Sequence, residues 1–241
     1  SNIAFGTLSG GYITRKRFED FQIILPPINE QKSIAKTLSH LDSKIQNLQN
    51  QNKILEQTAQ TIFKSWFVDF DGQTEFEDSE LGQIPKGWSV DTLNSIGKII
   101  TGKTPSTKEK DNFGNDYPFI TIPDMQNSIW AVKVERYISE KGKTKIQKYL
   151  LPENSVCVSC IATPGLVTLT IQNSFTNQQI NSIICKQGIS PFFIFLTMKM
   201  QKDHIIELGS GGTATLNLNK TNFSLIKIVL PPSNLISDFH N

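Results

Sequence analysis

The sequence has few cysteines and almost no net charge, and each shortage excludes a class of protein. Three cysteines among 241 residues cannot form a disulfide framework. Cys157 and Cys160 have no second pair and no nearby histidine, which is not a zinc pattern, and on the strand predicted there they point to opposite faces. We therefore expect buried, reduced thiols and no metal. Because the net charge is only +2, any surface that binds nucleic acid must be formed by local basic clusters.

Long apolar runs are missing as well. No stretch approaches eighteen apolar residues, and no charged-then-apolar leader opens the sequence, so we expect no membrane span and a cytoplasmic protein. A hydrophobic content of 38% with 15 Phe still supplies a core, which excludes a disordered chain. After residue 72, Gly and Pro punctuate many β-branched stretches. This pattern predicts a mixed α/β (α+β) globule.

A long helix over residues 29–70 is the clearest prediction. Pro26 and Pro27 cannot continue a helix, and Asn29 can cap the one that follows. Apolar positions then recur at alternating steps of four and three, which indicates a coiled-coil seam. Asn52 is a polar seam residue of the kind that fixes register, and Ala59 fills a second gap. We expect the seam to pair with another helix through Ile34, Leu38, Leu41, Ile45, Leu48, Asn52, Leu55, Ile62 and Trp66.

An internal repeat relates the two ends of the sequence. Residues 6–27 align without gaps with residues 211–232, at the offset of 205 that separates Leu25 from Leu230. At this offset Phe18 corresponds to Phe223. In both copies Leu-Pro-Pro ends an apolar strand. The first copy is followed by the long helix, whereas we expect the second to stop just before its own. The sequence therefore predicts the tail of one unit, its helix, and a second unit without a helix.

Several motifs accompany the helix and the repeat. They are LPPINEQ at residues 25–31, DSELGQIPKGW at 78–88, GKTP at 102–105, TNQQ at 176–179 and a Gly/Thr/Asn-rich loop at 209–219. Together with the long heptad helix, this combination resembles the specificity subunits of bacterial type I restriction–modification enzymes. The likeness extends over nearly the whole chain.

The resemblance implies an organisation and a function. Residues 1–28 would be the C-terminal remnant of a first target-recognition domain, 29–70 the conserved spacer helix, and 72–241 a second recognition domain ending before its own helix. Such domains each read one half of a split target in double-stranded DNA. The spacer pairs with a second helix, from the same chain or from another copy in a homodimer. It docks methyltransferase subunits, which carry S-adenosylmethionine, and restriction subunits complete the enzyme. This chain would hold no cofactor.

Basic and polar loops are the candidate DNA contacts. Lysines cluster at residues 98–110 and 133–148, where they could neutralise phosphates, and residues 210–220 carry side chains able to hydrogen-bond to bases. A solvated lysine-rich face is the alternative for either cluster. The expected DNA-binding residues are Lys103, Thr104, Lys108, Lys110, Lys141, Lys143, Lys145, Lys148, Ser210, Thr213, Thr215, Asn217, Asn219 and Lys220. Neutralising Lys143 and Lys145 is expected to weaken all DNA binding.

Two other functions compete with DNA recognition. Residues 97–104, from Gly97 to Thr104, match the phosphate-binding pattern GxxxxGK[ST]. However, residues 90–96 favour a short helix over the buried strand that a P-loop requires, and no helical pattern follows, so we expect a polar, exposed loop. A coiled-coil assembly protein without DNA function is the second alternative. No methyltransferase, nuclease or other catalytic motif is present, so we expect the chain to be no enzyme by itself. We expect Trp88, Phe192, Phe193 and Phe195 to be core residues.

Overall fold

A computed structural model describes residues 15–126, 129–210 and 216–240. Its helices are α1 Arg15–Glu19, α2 Ile28–Phe67, α3 Leu93–Ile96, α4 Glu140–Ile146, α5 Pro191–Met200, α6 Lys202–Gly209, α7 Lys220–Ser224 and α8 Ser233–His240. Its strands are β1 Phe76–Ser79, β2 Gly82–Pro85, β3 Ser89–Thr92, β4 Gly97–Thr101, β5 Phe113–Ile120, β6 Arg136–Ile138, β7 Val156–Ser159, β8 Val167–Leu169, β9 Phe175–Thr176, β10 Ile180–Cys185 and β11 Lys227–Leu230. The mixed α/β class is confirmed. The chain forms two compact units, Ser1–Gln57 and Thr58–Asn241.

The long helix α2 begins directly after Pro26-Pro27, as the sequence predicts. The Gln31 side chain donates a 2.7 Å hydrogen bond to the Pro26 carbonyl at this start. Forty residues make a rod of about 60 Å. The helix ends at Phe67 rather than at residue 70, because Phe70 adopts a positive φ of 57° and the Asp71 N–H folds back to the Ser65 carbonyl.

The described part of the following unit has four sheets, of which β1-β2 and β11-β3 are two-stranded antiparallel pairs and two are larger. One has the strand order β4-β10-β7-β8, and all of its neighbours are antiparallel. The other has the order β6-β5-β9, in which β9 runs parallel to β5. The largest core cluster joins residues of the first sheet, such as Val156 and Leu169, to Phe193 and Ile194 of α5. Trp88, Phe193 and Phe195 belong to the same core, which confirms their predicted burial, whereas Phe192 is only partly buried against it.

The loop predicted over the first part of residues 97–104 is wrong. The structure has strand β3 at Ser89–Thr92, a single helical turn, and then strand β4 at Gly97–Thr101, where Ile99 and Ile100 are buried. Gly97 is required there, because a Cβ would lie 2.7 Å from the Ile183 side chain of β10. The predicted helix at 90–96 is correspondingly reduced to Leu93–Ile96.

The helices of the two repeat copies match, but the strand predicted before the first Leu-Pro-Pro is wrong: residues 22–25, equivalent to β11, form no strand. Helices α1 and α7 occupy equivalent positions at the offset of 205, and α2 and α8 begin at the equivalent Ile28 and Ser233. The expectation that the sequence stops before a second helix is therefore wrong, since α8 forms over Ser233–His240. The two copies differ in burial: Phe18 is 69% exposed and Phe223 is fully buried. The second copy thus shows the packing that the first copy lacks within the described residues.

Cys157 and Cys160 are buried thiols, as expected, whereas Cys185 is only partly buried. Cys157 and Cys160 belong to different core clusters, which agrees with their opposite orientations on and just after β7. Burial raises the pKa of the Cys157 thiol to about 12 and that of Cys160 to about 11. Burial likewise raises the pKa of Cys185 to about 12. None of the helices in the described part of the chain is long and apolar enough to cross a membrane.

Candidate nucleic-acid interface

Four segments that are far apart in sequence meet beside the β4-β10-β7-β8 sheet. We call residues 101–104, 160–162, 176–181 and 216–219 the loop junction. The Gly102 and Lys103 N–H groups donate to the carbonyls of Ile180 and Thr176 at 3.0 and 2.9 Å. The Cys160 carbonyl accepts a hydrogen bond from the Leu218 N–H, and the Cys160 N–H donates one to the Gln179 carbonyl. The junction therefore unites candidate DNA residues from both halves of the domain.

Asn181 lies at the centre of the loop junction. Its side chain is 2% exposed. The Thr101 hydroxyl donates to Asn181 Oδ1 at 2.6 Å, and Asn181 Nδ2 donates to the Leu218 carbonyl at 3.3 Å. One buried amide thus connects the segment that leads to Lys103 with the segment that ends at Asn219.

The junction also presents side-chain amides that sequence reasoning missed as site residues. Gln178 is exposed, and its side-chain oxygen accepts a 2.8 Å hydrogen bond from the Thr104 hydroxyl. Asn177 donates from its side chain to the Gln179 side chain at 3.0 Å and accepts from the Gln179 N–H at 3.1 Å. The amide-rich TNQQ run was itself the available signal, because Asn and Gln are the side chains that match adenine edges.

The same hydrogen bonds do not favour a phosphate-binding loop. A P-loop leaves its backbone N–H groups free to cradle phosphate and leads directly into a helix. Here the N–H groups of Gly102 and Lys103 are already bonded to carbonyls, and the next helical residues are the single 3₁₀ turn Lys110–Asn112. Within the described ranges there is also no group of three His, Cys, Asp or Glu side chains that could hold a metal ion.

The first basic cluster keeps its charge uncompensated. Lys103, Lys108 and Lys110 are exposed, and no described residue forms an ion pair with them. The segment that carries them is held by Asn112, whose side chain donates to the Ser106 carbonyl at 2.9 Å. These three lysines are therefore available to an external anion.

Three lysines of the second basic cluster, Lys141, Lys143 and Lys145, lie on α4 and are paired with acids. Lys141 Nζ is 2.9 Å from Asp111 Oδ2, and Lys145 forms an ion pair with Glu109. Lys143 donates to the Tyr117 hydroxyl and contacts Glu140 at 3.3 Å. Hydrogen bonds from Lys145 and Lys141 lower the pKa of the Glu109 and Asp111 carboxyls, and the bond to Asp111 raises the pKa of Lys141.

Several of the remaining predicted DNA-binding residues make contacts with their sequence neighbours. Lys148 lies 5.1 Å from the ring centre of Tyr149. The Asn219 side chain caps α7 by accepting from the Asn222 N–H at 2.9 Å, directly before Lys220. Ser210 donates to the Glu207 carbonyl, and Asn217 is exposed at the junction. Thr213 and Thr215 lie outside the described residues.

The seam of α2 is exposed over most of its length. From Ile34 to Leu55 its apolar members are 45–66% exposed, while Ile62 and Trp66 are 39% and 38% exposed. At the end of the helix, the ring of Phe239 in α8 lies 5.8 Å from that of Phe63, 6.4 Å from Trp66 and 5.3 Å from Phe67. The end of α2 and the last turn of α8 therefore meet at the same part of the core.

Comparisons with known proteins agree with these features. The family profile described as "Type I restriction modification DNA specificity domain" matches residues 4–57 and 85–235. The specificity subunit of the type I restriction enzyme HindI from Haemophilus influenzae is 35% identical, over 94% of this chain and 63% of its own. A putative type I MjaX specificity subunit from Methanocaldococcus jannaschii is 28% identical, over 95% and 53%. This chain therefore spans a little more than half of the length of these relatives.

Solved structures share the fold. The HsdS subunit from Thermoanaerobacter tengcongensis superposes with a TM-score of 0.53 at 17% identity, over 98% of this chain and 55% of that one. A chain from a study of complex assembly and conformational transition in the type I R-M system gives a TM-score of 0.56 at 14% identity, over 89% and 52%. At these identities the likeness concerns architecture alone.

Proposed function

Because the chain belongs to the family of type I restriction modification DNA specificity domains, we propose that it recognises one half of a split target in double-stranded DNA. The loop junction is the observation that supports this proposal most strongly. It gathers exposed amide and hydroxyl groups, which can read base edges, beside lysines that can bind phosphates. The chain contributes recognition, and catalysis belongs to its partners.

We assign the DNA contacts by their chemistry. Lys103, Lys108 and Lys110 are exposed and unpaired with acids, so they bind the phosphate backbone. Gln178 and Asn217 present side-chain amides at the loop junction, so they read base edges in the major groove. The lysines of α4 contribute less than their number suggests, because Asp111, Glu109 and Glu140 offset their charge.

The proposed domains follow the boundaries predicted from the sequence. Residues 1–28 are the last part of a first recognition domain, 29–70 the spacer, and 72–241 the second recognition domain with the start of a further helix. The difference in burial between equivalent residues supports this division. Ile23 is 64% exposed and its counterpart Ile228 is fully buried, as expected if the first copy packs on a domain of its own.

The spacer pairs antiparallel with a second helix, and the repeat predicts the register. Phe239 corresponds to Ile34 at the offset of 205, and Phe239 packs among Phe63, Trp66 and Phe67. We infer that Ile34 packs in the same way against residue 66 of the partner helix. In that register, each remaining seam residue also lies opposite a seam residue. The resulting pairs are 34 with 66, 38 with 62, 41 with 59, 45 with 55 and 48 with 52. The small Ala59 then faces the large Leu41.

The outer face of the paired helices docks the methyltransferase subunits that supply S-adenosylmethionine, and restriction subunits join the complete enzyme. The partner helix comes from the continuation of α8 or from a second copy of the chain. The family membership supports this assembly, and a DNA substrate implies a cytoplasmic location.

A selection experiment tests the proposal. The chain is purified with a methyltransferase subunit and incubated with a pool of duplexes of randomised sequence, and bound DNA is sequenced over successive rounds. Enrichment of one half-site motif supports DNA recognition. Helix-dependent oligomers that retain DNA without enrichment, or retain none, would instead favour an assembly protein. The methyltransferase subunit alone is the matched control.

A further inference from the structure

Asn181 occupies an unusual place relative to the two loops assigned to DNA. It lies on β10, where strand pairing sets it opposite Thr101 on β4 and opposite Val158 on β7. Its oxygen accepts from Thr101, at the start of the 101–104 segment, and its nitrogen donates to Leu218, in the 216–219 segment. With 2% exposure, it cannot touch DNA itself.

The orientation of this amide is determined by its partners. The Leu218 carbonyl can only accept, so it must face Asn181 Nδ2 rather than Oδ1. The oxygen is thereby directed at the Thr101 hydroxyl, which donates at 2.6 Å. The neighbouring Cys160 strengthens the arrangement, because its carbonyl accepts from the Leu218 N–H at 2.9 Å. Both polar ends of a buried side chain are satisfied, so moving either segment leaves a buried group without its partner.

We propose that Asn181 is a positioning residue that sets the placement of the 101–104 segment relative to the 216–219 segment and thereby determines base discrimination. This inference rests on the proposed DNA-recognition function. Hydrogen bonds to base edges tolerate displacements of only a few tenths of an ångström, whereas long lysine side chains can follow a phosphate through a larger shift. Loss of the Asn181 link therefore lowers discrimination between sequences and leaves the salt dependence of binding unchanged.

Thr101→Val is the most direct test, because it removes the donor to Asn181 while preserving the shape of the side chain. Thr101→Ser keeps the hydroxyl and serves as the rescue variant. Ser182→Ala is the matched control: Ser182 is the next residue on β10, is equally buried, and hydrogen-bonds to the Cys157 sulfur instead of to either segment. All variants are prepared in the full chain with the methyltransferase subunit. The affinities for the selected duplex and for a scrambled duplex are measured over a series of salt concentrations.

The expected result is that Thr101→Val reduces the ratio of the two affinities by about fivefold or more, which corresponds to one buried hydrogen bond. Thr101→Ser and Ser182→Ala are expected to keep the wild-type ratio, and all four proteins to keep the same salt slope. If Thr101→Val retains the wild-type ratio, or if Ser182→Ala lowers it equally, the positioning role is overturned while DNA recognition stands. If the wild-type chain itself binds both duplexes equally, the proposed function has failed.

Amide hydrogen exchange on the free protein provides a readout that needs no DNA. Thr101 and Leu218 are each hydrogen-bonded to Asn181. The Leu218 amide is therefore expected to exchange faster in Thr101→Val than in wild type or Ser182→Ala, because Asn181 transmits the loss. An unchanged exchange rate at Leu218 overturns the coupling whatever the DNA measurements show.

Discussion

The ring of Phe239 packs edge-on against that of Phe67, with centroids 5.3 Å apart and an interplanar angle of 86°. Phe239 is the second-last residue of α8, so the last turn of α8 lies beside the end of α2. The residue equivalent to Phe239 in the first repeat is Ile34, so this one contact predicts how the whole seam of α2 pairs.

Cysteine cross-linking tests the predicted register between two copies of the chain. The double variant Leu41→Cys/Ala59→Cys is expected to form disulfide-linked dimers under mild oxidation, because positions 41 and 59 face each other. Ile45→Cys/Ile62→Cys is the control, since its positions are displaced by one heptad. Non-reducing electrophoresis measures the product. Equal cross-linking of the two variants would contradict the register.

Leu48→Glu tests the seam without a cross-link. A charge buried in a helix pair is costly, so this variant is expected to weaken or abolish pairing, whereas Asn47→Glu on the outward side is expected to have little effect. Light scattering reports the molar mass, and circular dichroism verifies that the recognition domain stays folded. Loss of pairing in both variants would argue against the assigned face.

The repeat supplies a matched pair for a stability measurement. Phe223 is fully buried and Phe18 is 69% exposed at the equivalent position. Phe223→Ala is expected to lower the free energy of unfolding by about 3–5 kcal/mol, and Phe18→Ala by less than about 0.5 kcal/mol. Urea unfolding provides both values. A comparable loss in Phe18→Ala would show that residues around Phe18 are packed in solution, contrary to the structure.

These equivalences show which features a sequence can predict. The helix start after Pro26-Pro27 depends on a local pattern and is confirmed, as are the helices of the repeat, whereas the pairing of the apolar seam stays a prediction. The extent of strand β4 was missed because it is determined by pairing with β10, about eighty residues later in the chain. Without that partner, residues 97–104 show only two glycines and two isoleucines among polar residues.

The candidate site was predictable to a similar degree. Basic and amide-rich segments are visible in the sequence, and the chain places Lys103 and Asn217 in one junction. The charge balance of α4 was not visible, because Lys141 and Lys145 pair with acids 30 and 36 positions away. The proposed positioning role of Asn181 could not be predicted either, because a single asparagine in a strand gives no sign of its two distant partners.

Removing the acids that pair with α4 tests this charge balance. Glu109→Gln/Asp111→Asn releases Lys145 and Lys141, so the double variant is expected to bind DNA more tightly and with a steeper salt dependence. Lys108→Gln is expected to do the opposite and reduce the salt slope by about one. Fluorescence anisotropy over a salt series measures both. Glu75→Gln, which breaks the exposed pair with Lys86, is the control, and an equal gain there would indicate a general charge effect.

The buried thiols predict a pH dependence of stability. The pKa of Cys157 is about 12 in the folded chain, against an ordinary value of 9.0, so the unfolded chain ionises first as the pH rises. The stabilisation is present below about pH 9 and is lost between pH 9 and 12, at about 1.4 kcal/mol per pH unit for each thiol. Urea unfolding between pH 8 and pH 10.5 is expected to show a shallower decline for Cys157→Ala than for wild type. Identical slopes would contradict the burial of this thiol.

DNA recognition is the central claim, and the ratio of specific to non-specific affinity tests it most directly. The chain with its methyltransferase subunit is titrated with the selected duplex and with a scrambled duplex of equal length and composition, at one physiological salt concentration. We predict that the selected duplex binds at least about a thousandfold more tightly. Equal affinities for the two duplexes would contradict the account.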